Sequence, residues 1–277
     1  MKSLLILVTI FIASYANAEA LAGSKFKKVL IIVLENTDYE KALKQPYLQS
    51  LTTQGALLQN MNGMVHPSQG NYIAMVGGDT LQVKNDNPVD LSQSNVADLL
   101  EPAGLSWKAY VENFPGNCFT GATNGRYARK HNPFISFTNI SQNPQRCANI
   151  KDSRAFDQDA QSGNLPNFAI YSPNLDDDGH DTGAPYSSNW LQKTFAARFA
   201  DPNFMKDLLV MITFDESGSK PGNHIYTVLL GDSVIPGSKS NQALNHVSLL
   251  KTVEVELNLG DLGRLDQSAE TIQGIWK

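Results

Sequence analysis

The chain contains 277 residues, with 22 lysine or arginine residues against 27 aspartate or glutamate residues and a formal net charge of −5 at pH 7. This length is sufficient for one large α/β domain with a sizeable core. The acidic balance argues against a nucleic-acid partner bound through a general basic surface. No internal repeat, low-complexity tract or linker divides the chain, so we predict a single domain over residues 19–277.

The amino terminus has the profile of a secretory signal peptide at residues 1–18. Lys2 provides the positive charge, residues 4–13 form an apolar core, and Ala16-Asn17-Ala18 is a small-x-small cleavage site. The apolar core is too short to span a bilayer, and no later apolar run reaches the roughly 18 residues required. We therefore expect an exported protein, secreted or periplasmic, with no transmembrane segment.

The first predicted element is a buried strand at residues 25–34 that ends in Glu35-Asn36. Its aliphatic run, residues 29–34, is too short for a helix of usual length and too apolar for a half-exposed strand. In open α/β sheets, ligands bind just beyond the carboxyl ends of the strands, where Glu35 and Asn36 are expected to project. The alternative is a charged residue that only closes the strand.

A serine precedes the next apolar helical segment. After a predicted helix at residues 47–54 and a return to the sheet at 56–61, the chain continues His66-Pro67-Ser68-Gln69-Gly70-Asn71-Tyr72. Ser68 has the position of an N-cap, and capping is one interpretation. In the other, its hydroxyl lies among unpaired N–H groups that attract phosphate, where it is a nucleophile or a metal ligand.

Hydrophobic periodicity is absent between residues 112 and 162, which follow a predicted helix at 96–103 and a predicted strand at 107–111. Polar residues, glycine and proline dominate there, so we predict a loop-rich insertion. It contains both cysteines of the chain, Cys118 and Cys147. In an exported protein this pair favours a disulfide over a reactive thiol or metal site, for which the CxxC or Cys/His spacing is missing.

The same insertion contains a cationic cluster in an otherwise acidic protein: Arg126, Arg129, Lys130 and His131. A solvated charged loop is one interpretation of this cluster. An anion-binding lip over an active site is the other.

Acidic residues recur at two later strand ends. A strand at residues 167–171 runs into Asp176-Asp177-Asp178-Gly179-His180-Asp181, which is a turn or a calcium loop, although the spacing does not match an EF-hand. After a predicted helix at 189–200, a second buried strand at 208–214 ends in Asp215-Glu216. His224 precedes a predicted strand at 225–230, and His246 begins the last long helix.

Two buried strands that end in Glu35-Asn36 and Asp215-Glu216 can bring four oxygen ligands to one edge of a parallel sheet. These groups would repel one another or remain unsatisfied without a cation. A hard divalent metal ion is therefore predicted, although its identity is not.

Taken together, these motifs resemble the bacterial and fungal phosphoesterase family, which includes acid phosphatases, phosphatidylinositol phosphatases and phosphate-specific phospholipases C. The matching segments occur in order over nearly the whole chain after the signal peptide. They are Glu35-Asn36, His66-Pro67-Ser68-x-x-Asn71-Tyr72, Lys130-His131-Asn132-Pro133, Asp178-x-His180-Asp181, Phe214-Asp215-Glu216 and His246-x-Ser248-x-Leu250. The family belongs to the alkaline phosphatase-like superfamily, which implies a three-layer α/β/α sandwich with a central, mostly parallel sheet.

The resemblance also implies roles for individual residues. The metal ligands would be Glu35, Asn36, Ser68, Asp215 and Glu216, with Ser68 also the nucleophile. Contact with the phosphoryl group or protonation of the leaving oxygen would fall to His131, His180 and Asp181. Substrate binding would involve Asn71, Lys130, Arg126, His246 and His224.

The function expected from this resemblance is a secreted, metal-dependent phosphoric monoester hydrolase of the acid phosphatase type. Its substrate would be a small phosphorylated molecule or a phospholipid headgroup, including phosphoinositides. Two alternatives remain open, namely a phosphodiesterase or phospholipase C on the same scaffold and a non-catalytic secreted binding protein. Phospholipase C members typically have Thr-x-Pro-Asn where this chain has Ser68-Gln69-Gly70-Asn71, which favours the monoesterase.

Overall fold

The computed structural model describes Leu21, residues 23–218 and residues 222–277. The predicted signal peptide lies outside the described residues. Among the described residues, no helix has the length and apolarity needed to cross a membrane.

Strands and helices alternate along much of the described chain. In chain order the strands are β1 (Lys28–Leu34), β2 (Ala56–Leu58), β3 (Met61–Asn62), β4 (Trp107–Val111), β5 (Thr123–Asn124), β6 (Tyr127–Ala128), β7 (Ile150–Lys151), β8 (Phe168–Ser172), β9 (Leu208–Phe214), β10 (Thr227–Leu230), β11 (Lys239–Ser240) and β12 (Leu244–Asn245). The α-helices are α1 (Tyr39–Leu43), α2 (Pro46–Gln54), α3 (Gln69–Gly77), α4 (Ala97–Leu100), α5 (Thr138–Ser141), α6 (Pro144–Cys147), α7 (Ser153–Gln161), α8 (Ala184–Phe199), α9 (Pro202–Met205), α10 (His246–Glu256) and α11 (Leu265–Ser268). Short 3₁₀ helices lie at Arg129–His131 and Phe134–Ser136.

Eight strands form one mostly parallel sheet in the order β11-β2-β10-β9-β1-β8-β4-β7. From β9 through β1, β8 and β4 to β7, each neighbouring pair is parallel. Strand β10 is antiparallel to both β9 and β2. The predicted mostly parallel α/β sheet is therefore confirmed, with the strand expected at residues 225–230 beginning two residues later and running in the opposite direction.

The two central strands are covered on both faces. Every residue of β9 is buried, as is every residue of β1 after Lys28. Because alternate strand residues point to opposite faces of a sheet, this burial requires helices on both sides. One group of helices includes α3 packed against α10, and another includes α8 packed against α2 and α9. Each fully buried Val, Leu or Ile contributes about 1.5–3 kcal/mol.

The region predicted as a loop-rich insertion contains more regular structure than expected. Strand β7 forms one edge of the main sheet by pairing with β4, and α7 is a nine-residue helix. The remaining elements of this region are two to four residues long, which is too short to produce a visible hydrophobic period. The predicted disulfide between Cys118 and Cys147 is present.

Candidate active site

The carboxyl ends of β1 and β9 bring acidic residues together. The two strands are parallel neighbours with Leu34 opposite Phe214, so the residues that follow them, Glu35 and Asp215, leave the sheet at the same level. The backbone N–H of Asn36 donates to Asp215 Oδ1 at 3.2 Å. Glu35 and Asp215 are completely buried, and Glu216 is nearly so. The structure thus brings the predicted ligand residues of the two strands to one edge.

Ser68 joins this acidic group from a different element. It immediately precedes α3, but its side chain makes no capping hydrogen bond. Instead the hydroxyl donates to Glu35 Oε2 at 3.2 Å, and Glu216 Oε1 lies 3.4 Å from the same oxygen. A serine hydroxyl has one proton, so it can satisfy only one of these carboxylates at a time. The Ser68 side chain therefore contacts carboxylates and does not cap the helix, which argues against the first of its two interpretations.

The donor set around Ser68 fits a hard divalent cation. Asp215 Oδ2 is buried and has no hydrogen-bond partner among the described residues. Burial, together with the charges of Glu35 and Glu216, raises the pKa of Asp215 well above its ordinary value. A buried carboxylate in this state is costly unless a cation or a proton neutralises it. Carboxylate, hydroxyl and amide oxygens are the ligands that such a cation prefers.

His131 lies buried between two carboxylates. Its Nε2 is 3.0 Å from Glu35 Oε1, and its Nδ1 is 3.0 Å from Asp178 Oδ2. Neither carboxylate oxygen has a hydrogen-bond partner among the described residues, so we describe both contacts as ion pairs. Burial alone would lower the pKa of His131, but the two carboxylates outweigh it and raise this pKa to about 10. His131 is therefore a charged imidazolium.

The charge of His131 acts in turn on Glu35. Burial would raise the pKa of Glu35, yet His131 and Lys130 lower it to about 2. Ligand atoms of Glu35, His131 and Asp178 lie within 4.8 Å of one another, close enough to hold a metal ion. A metal ion there would need neutral His131, whereas the imidazolium already supplies positive charge between the two acids. The site therefore offers two candidate metal positions, one among Glu35, His131 and Asp178 and one on the Ser68 side of Glu35.

A chain of charged side chains forms the exposed rim of the site. Lys130 Nζ donates to Asp86 Oδ2 at 2.9 Å and lies 3.1 Å from His180 Nε2. Because an ammonium group only donates, His180 Nε2 accepts and its proton resides on Nδ1, which is 2.7 Å from Asp181 Oδ1. Burial lowers the pKa of Lys130, but the hydrogen bond to Asp86 and the charges of Glu35 and Asp215 outweigh it and raise this pKa.

Arg126 is held at the outer end of this rim. Its two terminal nitrogens bind Asp181 at 2.8 Å and Asp176 at 2.6 Å. Arg126 thus holds two acidic side chains in place, and its predicted contact with substrate stays a prediction. Arg129, the other arginine of the cationic cluster, is buried against Asp90.

Three residues that were predicted to bind substrate make contacts that support the surrounding backbone. Asn71 Oδ1 accepts from Met64 and Val65, and this bracing fixes the loop that leads to Ser68. His224 stacks on Tyr39 and hydrogen-bonds a backbone carbonyl. The buried His246 pairs its Nε2 with the carbonyl of Phe214, and burial lowers its pKa to about 4. These contacts do not bring the three side chains into the group around Ser68.

Sequence reasoning did not assign four residues that border the site. Asp178, which begins the Asp178-x-His180-Asp181 motif, forms an ion pair with His131. Tyr72 stacks on the His131 ring with the two ring centroids 5.0 Å apart. His66 Nδ1 lies 2.7 Å from Glu216 Oε2, with half of the histidine side chain exposed. Asp86 is the fourth. The first three lie within or beside the motifs, whereas nothing in the polar segment around Asp86 distinguished it.

Comparison with known proteins identifies relatives over most of the chain. A model of the Phosphoesterase family matches residues 37–260. A probable acid phosphatase of Kluyveromyces lactis is 39% identical over 267 residues, which cover 91% of this chain and 63% of the relative. A phosphatidylinositol-3-phosphatase of Mycobacterium tuberculosis is 30% identical over 256 residues, which cover 91% of this chain and 83% of the relative.

The fold has a counterpart among solved structures. A protein of the alkaline phosphatase superfamily from Vibrio parahaemolyticus superposes with a TM-score of 0.61 at 13% identity, covering 87% of this chain and 71% of the other. The three-layer architecture expected from the sequence is therefore that of this superfamily.

Proposed function

The chain belongs to the phosphoesterase family, and we propose that it is a metal-dependent phosphoric monoester hydrolase with Ser68 as its nucleophile. The observation that carries this proposal is the buried Ser68 hydroxyl, held between Glu35 and Glu216. Asp215, whose Oδ2 has no hydrogen-bond partner among the described residues, leaves the sheet at the same level as Glu35. A non-catalytic binding protein would have no need for a hydroxyl at this point. The same carboxylates, with Asn36 and Ser68, would hold the metal ion.

Ser68 performs the displacement in this proposal. Serine is a weak nucleophile, and a bound divalent cation lowers the pKa of such a hydroxyl and offsets charge on phosphoryl oxygens. Ser68 passes its proton to one of the two carboxylates that face it, Oγ forms a bond to phosphorus as the ester P–O bond breaks, and the departing alcohol oxygen takes a proton from His180. Water then attacks the phosphoserine, which releases inorganic phosphate and restores the hydroxyl. Lys130 binds the charged oxygens of the substrate.

His180 is the proposed proton donor for the leaving alcohol: its Nε2 accepts from Lys130 without substrate, and it takes up the proton it will donate once Lys130 turns to the substrate oxygens. It is partly exposed at the rim, and Asp181 fixes its ring through Nδ1. His131 is unsuitable because both of its nitrogens face buried carboxylates. Its proposed role is to hold Glu35 ionised and in place, with Asp178 as the second anchor of the ring.

The proposed substrates are small phosphate monoesters, with phosphoinositide headgroups among the candidates. The names of the K. lactis and M. tuberculosis relatives support these two classes. The chain spans 63% of the length of the K. lactis relative, so parts of that protein have no counterpart here. Export through the amino-terminal signal is the proposed route to a secreted or periplasmic location.

Hydrolysis of p-nitrophenyl phosphate by the purified protein tests the proposal. Activity should disappear on chelation and return with one added divalent ion. Ser68→Ala should abolish turnover and leave folding intact. Ser136→Ala, which removes a different buried hydroxyl that has no hydrogen-bond partner among the described residues, should retain activity. Activity that survives chelation would reject the metal site. A preference for bis(p-nitrophenyl) phosphate would indicate a diesterase, and no activity on either ester would indicate a binding protein.

A further inference from the structure

A short loop is fixed against the residue that follows Ser68. The backbone N–H of Gln69 donates to Asp86 Oδ1 at 3.0 Å. The Gln69 side-chain amide donates to the carbonyls of Asn85 at 2.9 Å and Asn87 at 2.8 Å, on either side of Asp86. Gln69 is itself almost fully buried. The position of the Asp86 carboxyl group relative to Ser68 is therefore set by three hydrogen bonds from one rigid residue.

Asp86 also holds the cation expected to bind substrate. Its Oδ2 accepts from Lys130 Nζ at 2.9 Å. The Asp86 carboxylate therefore accepts hydrogen bonds from the Gln69 N–H group beside the nucleophile and from the Lys130 ammonium group at the rim. These are the donors that an incoming phosphoryl oxygen would use.

Acceptor capacity remains on Asp86 after these contacts. Each carboxylate oxygen can accept two hydrogen bonds, and each oxygen of Asp86 accepts one from the described residues. The side chain is 28% exposed at the rim, so its free lone pairs are accessible to a bound ligand. A carboxylate with free acceptors attracts a ligand that carries a hydroxyl proton and repels one that presents only anionic oxygens.

We propose that Asp86 is a specificity-determining residue that accepts a hydrogen bond from the P–OH group of a phosphate monoanion. This inference rests on the proposed function of the Ser68 site and specifies the form of its substrate. A monoester dianion and sulfate carry no such proton and are repelled, and a diester has no P–OH group to donate. An analogue without the P–OH proton would place an anionic oxygen against the Asp86 carboxylate, so the site selects against it mainly by charge repulsion.

The selection has a consequence for the working pH. The second ionisation of a phosphate monoester has a pKa of about 6, so the monoanion predominates only in acid. A site that requires the P–OH group loses its substrate form as the pH rises, without any change in the protein. Asp86 therefore matches the enzyme to acidic conditions.

Binding of inorganic phosphate and sulfate tests this proposal on the full metal-loaded protein. Both affinities are measured calorimetrically at about pH 5, where phosphate carries P–OH groups and sulfate carries no proton. The readout is the ratio of the phosphate affinity to the sulfate affinity. Both are measured on the same preparation, so a difference in the fraction of active protein between preparations does not change this ratio. Asp86→Asn keeps an acceptor for the Gln69 N–H. Asp90→Asn, which alters the ion pair between Asp90 and the buried Arg129, is the matched control.

We expect Asp86→Asn to reduce the preference for phosphate over sulfate by at least about tenfold, mainly through tighter sulfate binding. Asp90→Asn should leave the ratio unchanged. A ratio in Asp86→Asn within about twofold of the original protein would overturn the role of Asp86 while leaving the hydrolase proposal intact. An original protein that binds neither anion and hydrolyses no ester would overturn both. If Asp86→Asn does not fold, Asp86→Glu, which keeps the acceptor and the charge, should retain the preference.

Discussion

Removal of the His131 imidazole tests the buried charge arrangement beside Ser68. In His131→Ala, Glu35 and Asp178 would face each other with no positive charge between them, and both are completely buried. Loss of one partner from a buried ion pair costs about 3–5 kcal/mol. Loss of the ring stack with Tyr72 adds about 0.5–1.5 kcal/mol. We expect the free energy of unfolding of the chelated protein to fall by at least about 3 kcal/mol at pH 6.

The pH dependence gives an independent value for the same contribution. The pKa of His131 rises from 6.5 to about 10 on folding, which corresponds to about 5 kcal/mol at 1.36 kcal/mol per pH unit. Because the folded pKa lies above the unfolded one, the stabilisation is complete below about pH 6.5. It decreases as the pH rises towards 10. The stability difference between the original protein and His131→Ala should therefore shrink over this window.

Urea unfolding in the presence of a chelator measures both effects. The control is His224→Ala, which removes a partly exposed ring stacked on Tyr39 and should cost about 1 kcal/mol with no matching pH dependence. Two results would refute the reasoning: equal losses in the two variants, or a His131→Ala loss that stays constant up to about pH 10.

Three further outcomes are expected. His180→Ala should lower kcat/KM for an alkyl phosphate at least about tenfold more than for p-nitrophenyl phosphate, whose leaving group needs little protonation; equal losses in steady-state assays would exclude His180 as the acid. Burial and the nearby Asp266 raise the pKa of Glu254 to about 9, so the carboxyl group costs stability as the pH rises above about 4.5. Glu254→Gln should therefore raise the melting temperature at pH 7.5 and leave it unchanged at pH 4, and a uniform effect would contradict this. Asn71→Ala should lose about 1–3 kcal/mol by leaving the N–H groups of Met64 and Val65 unpaired, with metal affinity retained, and calorimetric loss of metal binding would argue for a direct role.

The sheet and its acidic edge could be predicted because their causes are local in sequence. The aliphatic run of residues 29–34 and the strand at residues 208–214 can be buried only in the middle of a covered sheet. Each strand ends in acids, so parallel pairing at equal register was enough to bring Glu35 and Asp215 together. Ser68 was a candidate because a helix start follows it directly.

The rest of the site depends on contacts between distant segments. Asp86 pairs with Lys130 across 44 residues, and His66 pairs with Glu216 across most of the domain. No period or local spacing encodes such pairs. His224 and His246 contact backbone carbonyls, and their predicted substrate role stays a prediction, because a histidine beside a strand or at a helix start has the same sequence signature in either role. The short elements within residues 112–162 were missed because two to four residues cannot show a period.

The stereochemical course at phosphorus tests the central claim, attack by Ser68, most directly. The metal-loaded protein would hydrolyse a monoester made chiral at phosphorus with oxygen isotopes, and the configuration of the released phosphate would be determined. Each in-line displacement inverts the configuration, so attack by Ser68 followed by attack of water predicts overall retention. Inversion would mean that water attacks the ester directly and would contradict a phosphoserine at Ser68.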